Sequence, residues 1–238
     1  MEIKNSVAIV TGASSGIGYA TAKLLTKKGS KVALVARSKH KLEKLSKELP
    51  DSFVVVADMT KKDQIVSMVK KVHNHYGKID TLVNNAGQGY DAPVEKINID
   101  TYHKVFDLDV VGPIIAMKEV IPIMKKQGKG SIINISSGTA LMYLPNMAGY
   151  SSLKRALVGI SLTAREELKD DHISVSVVFP YITDTDFEKN TIKDVEEKKW
   201  SGDGPPQPPD SADYIAEKIV KGIQTGEATI YAHEWMKR

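Results

Sequence analysis

Tyr150 and Lys154 are separated by one helical turn in the stretch YSSLKRAL, residues 150–157. On a helix, side chains four positions apart project from the same side, so the phenol and the ammonium group are expected to be neighbours. A tyrosine hydroxyl has a reference pKa of about 10, and a nearby positive charge stabilises its phenolate and lowers that value. The spacing therefore suits proton transfer. An exposed aromatic residue beside a solvated amine has the same pattern, so the pair alone leaves both interpretations open.

A glycine-rich turn, TGASSGIG at residues 11–18, connects the first predicted strand to the helix that follows it. Gly12 permits a tight turn, Gly16 allows the backbone to approach a pyrophosphate, and Gly18 allows the helix to pack on the sheet. The first amides of that helix are donors for phosphate oxygens. The turn lacks the Gly-Lys-Ser/Thr of a nucleoside-triphosphate loop, and we interpret it as a dinucleotide-binding turn rather than a purely structural one.

The residues at the end of the second predicted strand indicate which dinucleotide fits. An acid at this position binds the ribose 2′-hydroxyl of NAD, whereas a base accommodates the 2′-phosphate of NADP. In VARSKH, Ala36 occupies the position of the acid, and Arg37 follows with Lys39 close by. We therefore predict that Arg37 binds the 2′-phosphate and that NADP(H) is preferred, with NAD(H) as the alternative cofactor. A solvated arginine at a strand end is the other interpretation.

Short apolar, β-branched runs alternate with longer amphipathic stretches along the whole chain. Such runs are typical of strands covered on both faces of a sheet. Their alternation with helices predicts an α/β Rossmann fold, with a doubly wound, mostly parallel sheet of about seven strands and helices on both faces. No linker divides residues 1–238, so a single domain is expected. The strand candidates are Val7 to Val10, Lys31 to Ala36, Phe53 to Ala57, Thr81 to Asn84, Ser131 to Ser136, Ile173 to Phe179 and Ala228 to Tyr231.

The composition excludes several kinds of site and partner. The chain of 238 residues has no cysteine, which excludes disulfides, thiolate zinc sites and cysteine nucleophiles. Its net charge is only +4 and its lysines are scattered over predicted helices, so no nucleic-acid partner is expected. No apolar stretch approaches the roughly 20 residues that cross a bilayer, and the first residues lack the apolar segment of a signal peptide. We expect a cytoplasmic protein without a membrane partner or a metal.

The ordered motifs resemble those of the classical short-chain dehydrogenases/reductases over essentially the whole chain. The glycine-rich turn is similar to that family's cofactor loop, and NNAG at residues 84–87 is similar to its motif after the fourth strand. Ser137, Tyr150 and Lys154 match its catalytic serine and its Tyr-x-x-x-Lys in order and spacing. Each motif alone is common, whereas the ordered set is highly specific.

The resemblance implies hydride transfer between a nicotinamide dinucleotide and a carbonyl or alcohol group. Hydride transfer to a carbonyl leaves negative charge on the oxygen, which requires a proton donor beside it. The resemblance makes Tyr150 the general acid/base, Lys154 the group that lowers its pKa and binds the nicotinamide ribose, and Ser137 the group that binds the substrate oxygen. The residues expected to contact the cofactor are Gly12, Ser14, Ser15, Gly16, Ile17, Gly18, Arg37, Asp58, Met59, Asn85, Ala86, Gly87, Tyr150, Lys154, Pro180, Thr183 and Thr185.

Asp109 departs from the family's pattern, because an asparagine is usual at this position in the helix before the serine strand. An asparagine donates and accepts hydrogen bonds, whereas an ionised aspartate only accepts them. In the family this residue supports a water that links the lysine to solvent. We expect Asp109 to belong to the catalytic set, to raise the pKa of Lys154 and to change that of Tyr150.

The other departures lie at the predicted substrate pocket. Tyr181 replaces the glycine that commonly follows Pro180, and Gln88 and Gly89 stand at the pocket rim where an apolar residue is more usual. Residues 183–210, which are rich in breakers towards their end, are expected to act as a substrate lid. The residues expected to contact the substrate are Ser137, Tyr143, Tyr150 and Tyr181.

These inferences predict an NADP(H)-dependent oxidoreductase that interconverts a ketone or aldehyde and an alcohol. Apolar residues around the pocket favour an apolar small-molecule substrate without selecting a compound. The resemblance also implies a homodimer or homotetramer formed through the helices that contain residues 101–125 and 150–168. Two alternatives stay open: a nucleotide-sensing protein on the same scaffold that has lost turnover, and an epimerase or dehydratase, which the short chain disfavours.

Overall fold

A computed structural model describes residues 1–194 and 207–237. Within these ranges, no helix is both long enough and apolar enough to span a lipid bilayer. The strands are β1 (Val7–Thr11), β2 (Lys31–Ala36), β3 (Phe53–Val56), β4 (Thr81–Asn84), β5 (Tyr90–Asp91), β6 (Gly130–Ile135), β7 (Ile173–Phe179), β8 (Ile192–Lys193) and β9 (Thr229–Tyr231). The helices are α1 (Gly16–Lys27), α2 (Lys39–Glu48), α3 (Lys62–Tyr76), α4 (Ile99–Phe106), α5 (Gly112–Gln127), α6 (Ala148–Leu168) and α7 (Ala212–Thr225).

Seven of the strands form one sheet in the order β3-β2-β1-β4-β6-β7-β9, and all pairs in it are parallel. The chain moves outward in one direction from β1 to β3 and in the other from β4 to β9. In such sheets, a crevice opens at the carboxyl ends of the strands where the direction reverses, which here is between β1 and β4. The predicted doubly wound α/β fold is confirmed, and the predicted strand ends differ from the observed ones by no more than one residue.

Helices cover both faces of the sheet because the strands are apolar on both sides. Leu25 of α1, Leu42 of α2 and Ile219 of α7 lie in the core on one face. Met68 of α3 and Val120 of α5 lie in the core on the other face. Full burial of a side chain of this size stabilises a fold by about 1.5–3 kcal/mol, so the two layers hold the strand ends firmly in place.

A buried chain of hydrogen bonds joins α6 to the middle of the sheet. Asn84 Nδ2 on β4 donates to Asn134 Oδ1 on β6 at 2.8 Å, and Asn134 Nδ2 donates to Ser161 Oγ on α6 at 2.8 Å. Each such bond contributes about 1 kcal/mol net, and an unmade one would leave a buried polar atom without a partner. This network fixes the helix that carries Tyr150 and Lys154 against the two central strands.

A second sheet of two short strands was not predicted from the sequence. In it, β5 and β8 pair in parallel, with Tyr90 opposite Ile192 and Asp91 opposite Lys193. The strand β8 belongs to the predicted lid, residues 183–210, of which residues 195–206 lie outside the described ranges. Runs of two residues carry no readable periodicity, which is why sequence patterns did not reveal them.

Candidate active site

The turn between β1 and α1 has the glycine backbone that the sequence predicts for a dinucleotide-binding turn. Gly12 and Gly16 have φ angles of 67° and 53°, a left-handed backbone that side chains disfavour. A Cβ atom on Gly18 would lie 2.3 Å from the carbonyl oxygen of Gly12, so the close approach of α1 requires a glycine there. Ser15 caps α1 without a side-chain hydrogen bond to its first turn, which leaves these amides to a ligand. Of the other predicted contacts in this turn, Ser14 and Ile17 are half-buried.

The NNAG motif after β4 is bonded directly to the first strand. The side-chain amide of Asn85 donates to Thr11 O at 2.9 Å, and the backbone amides of Asn85 and Ala86 donate to Thr11 Oγ1 at 2.9 and 3.0 Å. A Cβ atom on Gly87 would lie 3.3 Å from Lys154 Nζ, so the motif passes close over the lysine. The predicted cofactor residues of β1, β4 and α6 therefore share one crevice.

The predicted adenosine end of the crevice lies beside β2 and β3. Arg37 is exposed directly after β2, and Asp58 is half-buried after β3. Thr60 donates to Asp58 Oδ1 from its amide at 2.9 Å and from its hydroxyl at 2.8 Å. Burial alone would raise the pKa of Asp58, but the bonds from Thr60 and the positive charges of Arg37 and Lys61 hold that pKa below its ordinary value. Met59, the neighbouring predicted contact, is buried.

Lys154 and Asp109 form a buried ion pair behind Tyr150. Lys154 Nζ lies 3.1 Å from Asp109 Oδ2, and the two side chains are 5% and 0% exposed. The same nitrogen donates to Ile135 O at 3.1 Å and lies 5.6 Å from the centre of the Tyr150 ring. The backbone amide of Gln88 donates to the other carboxylate oxygen of Asp109 at 2.9 Å. The structure thus brings together Tyr150, Lys154 and Asp109, which were grouped from the sequence.

Asp109 reaches this position from a single π-helical turn, residues Asp107–Val111, between α4 and α5. The wider winding of such a turn changes which side chains face the protein, and π turns occur often at functional sites. Gly112 follows at once, and a Cβ atom on it would lie 2.4 Å from Met59 O. The sequence indicated an ordinary helix here, because no residue pattern announces a π turn.

The charges of this cluster act on Tyr150 in opposite directions. Burial raises the pKa of Tyr150, the Lys154 ammonium lowers it and the Asp109 carboxylate raises it, with a net rise above the ordinary value. Lys154 does favour the phenolate, as predicted, but burial outweighs it. Burial also disfavours the charged form of Lys154, yet the adjacent carboxylate outweighs burial and raises the pKa of Lys154, as expected from the sequence. Burial raises the pKa of Asp109, against the effects of Lys154 and the Gln88 amide.

Ser137 follows β6 directly after Ser136, and the two serines have different partners. Ser136 is buried and donates to Lys154 O at 3.1 Å. Ser137 Oγ accepts from the amide of Thr139 at 3.2 Å and from its hydroxyl at 3.0 Å. These bonds leave the hydroxyl hydrogen of Ser137 for another acceptor, and Ser137 also favours the phenolate of Tyr150.

Arg155 ties the turn after Ser137 to α6, and the sequence analysis did not single it out. Its Nε donates to Ala140 O at 2.9 Å, and Nη2 donates to Met142 O. The guanidinium carbon lies 4.6 Å from the centre of the Tyr143 ring, which is 92% exposed. The only sequence signal for this role was the position of Arg155 beside Lys154.

Arg155→Met is expected to raise the KM for a carbonyl substrate by about five- to tenfold, because two hydrogen bonds that hold the turn after Ser137 are lost. The KM for the cofactor should stay within about twofold, since the cofactor crevice lies beside β1. The matched control is Arg165→Met on the same helix, which loses one bond from Arg165 Nη1 to Val175 O, of 2.9 Å. Steady-state kinetics of both variants check this; an equal rise in both KM values would show that Arg155 does not act on the substrate side.

The segment after β7 passes over the site and carries three predicted cofactor contacts. Pro180 O accepts from the amide of Gly138 at 2.8 Å, next to Ser137. Thr183 pairs with Asp210 in an isolated bridge. The methyl carbon of Thr185 would lie 3.1 Å from a Cβ atom on Gly16, so Thr185 is placed against the glycine-rich turn.

Tyr181 turns towards the last described residues of the chain. Its ring meets those of Trp235 and His233 edge-on, at 5.4 and 5.7 Å between centres. His233 Nε2 lies 3.0 Å from both carboxylate oxygens of Asp210. Tyr181 therefore packs on this carboxyl-terminal cluster, and its contact with a substrate stays a prediction.

The comparisons with known proteins agree with this arrangement. A family model described as short chain dehydrogenase matches residues 6–196. The uncharacterized oxidoreductase YxjF of Bacillus subtilis is 33% identical over 201 residues, covering 83% of this chain and 78% of that protein. The 3-oxoacyl-(acyl-carrier-protein) reductase FabG of Thermotoga maritima is 36% identical over 191 residues, covering 78% and 77%.

Two solved structures extend the comparison to three dimensions. A 3-ketoacyl-(acyl-carrier-protein) reductase from Brucella melitensis, complexed with NADH, has a TM-score of 0.88 at 27% identity and covers 96% of this chain and 97% of its own. An alcohol dehydrogenase from the archaeon Thermococcus sibiricus, complexed with 5-hydroxy-NADP, has a TM-score of 0.85 at 26% identity and covers 99% of both chains. Because the family model matches most of the length of this chain, the chain belongs to the short-chain dehydrogenase/reductase family of oxidoreductases.

Proposed function

We propose that this protein is an NADP(H)-dependent oxidoreductase that interconverts a ketone or aldehyde and an alcohol, with Tyr150 as the general acid/base. The observation that carries the proposal is the buried group of Tyr150, Lys154 and Asp109 beside a glycine-rich turn shaped for a pyrophosphate. In this proposal, residues 1–238 form one domain, and residues 183–210 are its substrate lid. Family membership supports the reaction class.

The residues of the site have complementary tasks in carbonyl reduction. Bound NADP(H) supplies the hydride in reduction and accepts it in oxidation. Ser137 donates its hydroxyl hydrogen to the substrate oxygen and holds that oxygen beside Tyr150. Tyr150 transfers its phenolic proton to the oxygen as negative charge develops there. The Lys154 ammonium stabilises the phenolate that is left, and Asp109 keeps Lys154 protonated by raising its pKa.

The protonation state of Tyr150 gives the two reaction directions opposite dependences on pH. Burial and Asp109 raise the pKa of Tyr150, so the phenol is the form present at neutral pH. A phenol donates a proton to a developing alkoxide, whereas alcohol oxidation requires the phenolate as base. We therefore expect alcohol oxidation to gain rate as the pH rises.

Arg37→Ala is expected to weaken NADPH binding by about ten- to a hundredfold, because a charge-assisted hydrogen bond contributes about 1.5–3 kcal/mol. NADH binding should change by less than about twofold, since NADH has no 2′-phosphate for Arg37 to contact. Fluorescence titration with both nucleotides measures the two constants. Lys39→Ala is the charge-matched control, because Lys39 is paired with Glu43 at 3.6 Å. Unchanged discrimination between the nucleotides in Arg37→Ala would refute the assignment.

Oxidation of NADPH against a panel of ketones, aldehydes and acyl thioesters tests the reaction itself. Acyl thioesters belong in the panel because two of the similar proteins are named as acyl-carrier-protein reductases. Turnover of at least one compound, lost in Tyr150→Phe, supports the proposal. Tight NADPH binding without turnover on the whole panel would instead support a nucleotide-sensing protein on the same scaffold.

We further propose that the protein is a homodimer or homotetramer that associates through α5 and α6. Partly exposed apolar side chains on these helices support this, among them Ile114, Ile121 and Ile160. Light scattering coupled to size-exclusion chromatography measures the mass directly, and a monomer at micromolar concentration would contradict the proposal.

A further inference from the structure

We propose that the pairing of β8 with β5 and the contact of Thr191 with Gly89 together form a latch. This latch holds Phe187 over Tyr150 and makes the enzyme selective for compact carbonyl substrates. The lid arm is defined here as residues 183–194, and the latch as β5, β8 and the contact between Gly89 and Thr191. The inference rests on the proposed function, whose substrate class it narrows.

The lid arm covers the reacting residues in this structure. The Phe187 ring lies 5.8 Å from the Tyr150 ring, centre to centre. Tyr150 and Lys154 are both buried with the Phe187 ring against the phenol, and in the proposed latch Phe187 moves aside to admit a carbonyl oxygen. Phe187 itself is 40% exposed, so its displacement removes only part of the burial of a phenylalanine side chain, about 1–2 kcal/mol. Substrate entry thus depends on what holds the lid arm down.

The latch holds the lid arm through backbone hydrogen bonds and one buried hydroxyl. The amides of Ile192 and Asp194 donate to Gly89 O at 3.0 Å and to Asp91 O at 2.9 Å. The hydroxyl of Tyr90 donates to Asp194 Oδ2 at 2.8 Å, while the Tyr90 side chain is fully buried. A short pair of this kind has few bonds, so it can open and close around a ligand.

The docked lid arm requires a glycine at position 89, whereas the backbone conformation at that position does not. A Cβ atom on Gly89 would lie 2.2 Å from Thr191 Oγ1 and 2.9 Å from its Cγ2. Gly89 is not among the glycines with positive φ, so its backbone conformation accepts an L-residue. The absence of a side chain at position 89 therefore serves only the close seating of Thr191.

The latch also reaches the charged pair behind Tyr150. Gln88 donates from its side chain to Asn190 O on the lid arm and from its backbone amide to Asp109 Oδ1 at 2.9 Å. When the lid arm is docked, Gln88 is therefore bonded through its side chain to Asn190 and through its backbone amide to Asp109. A compact substrate lets the latch close again above it, whereas an elongated or bulky one, such as an acyl thioester on a carrier protein, keeps the lid arm raised.

Gly89→Ala tests the latch because the added methyl group occupies the place of Thr191. We expect kcat/KM for a compact ketone to fall by about tenfold or more, and kcat/KM for a bulky ketone or a carrier-bound acyl thioester to fall much less. Thr191→Gly in the same chain removes the atoms that clash, together with the bond from Thr191 Oγ1 to Phe187 O, of 3.1 Å. The double variant should therefore regain most, but not all, of the wild-type preference. Gly159→Ala is the control for an added methyl group, since a Cβ atom there meets nothing within 4 Å of this chain, provided that light scattering gives it the wild-type mass, because α6 belongs to the proposed subunit interface.

Hydrogen exchange of the lid arm with NADPH bound provides a readout that needs no turnover. Exchange should rise in residues 183–194 of Gly89→Ala and return in the double variant, with melting temperatures reporting any general loss of fold. Raised exchange with an unchanged substrate preference would overturn the latch as a selector, and unchanged exchange would overturn the latch itself. If the lid arm of the wild type is protected from exchange but the protein reduces no carbonyl compound, the proposed function is wrong, and so is the proposed substrate selection. Docking of the lid arm would still be supported by the exchange data.

Discussion

Tyr150→Phe is expected to lower the rate of carbonyl reduction by about a hundred- to ten-thousandfold, which is what a positioned acid contributes to such reactions. The variant removes only the hydroxyl, so the ring still packs against Phe187, 5.8 Å away between centres. NADPH binding should therefore stay within about twofold of the wild type. Initial rates and nucleotide titrations on the same preparations measure both quantities.

Tyr76→Phe is the control for the loss of one tyrosine hydroxyl. Tyr76 ends α3 at the opposite edge of the sheet, and its hydroxyl donates to Asp51 O at 2.7 Å. Its activity should equal that of the wild type. A Tyr150→Phe enzyme that keeps more than about a tenth of the wild-type rate would show that the proton comes from another group.

Asp109→Asn is expected to move the pH dependence of both reaction directions to lower pH. The carboxylate is one of the groups that raise the pKa of Tyr150, and an uncharged amide removes that contribution. Carbonyl reduction, which uses the phenol, should lose rate at a lower pH than in the wild type. Alcohol oxidation, which uses the phenolate, should become about three- to tenfold faster near neutral pH. Rate profiles in both directions, with Asp107→Asn as the exposed neighbour in the same π turn, check the prediction.

The same variant is expected to lower the free energy of unfolding at neutral pH by about 1–3 kcal/mol, less than the loss of a whole partner because asparagine still accepts a hydrogen bond. The sign follows from Lys154, which would keep a buried charge without its partner and whose pKa is raised in the folded state. Burial also raises the pKa of Asp109, and the removal of that buried carboxylate offsets part of the loss. Lys154 stabilises the fold fully below the pKa of an unfolded lysine, and the contribution is lost as the pH rises through the folded-state pKa. Urea denaturation should therefore show a difference between wild type and variant that shrinks at strongly alkaline pH. Unchanged stability and an unchanged rate profile together would remove Asp109 from the mechanism.

Much of the fold and the chemistry could be predicted from local patterns. The strands of the large sheet were visible because each is an apolar run bounded by breakers, and such runs depend on a few successive residues. Gly12 and Gly18 were assigned from the requirements of a strand–turn–helix connection, which the φ of Gly12 and the close packing of Gly18 now illustrate.

The contacts that control the site join distant parts of the chain, and only the tertiary structure reveals them. Gln88 and Asn190, for example, are 102 positions apart yet hydrogen-bonded. The net rise in the pKa of Tyr150 depends on how completely the fold buries it, a quantity that has no local pattern. The sequence by itself identified the oxidoreductase family and the residues proposed to carry the reaction, because the motifs that mark them are short and ordered along the chain. The tertiary structure decided the π turn that presents Asp109, the role of Arg155 and the closure of the lid arm, because burial and long-range packing exist only once the chain has folded.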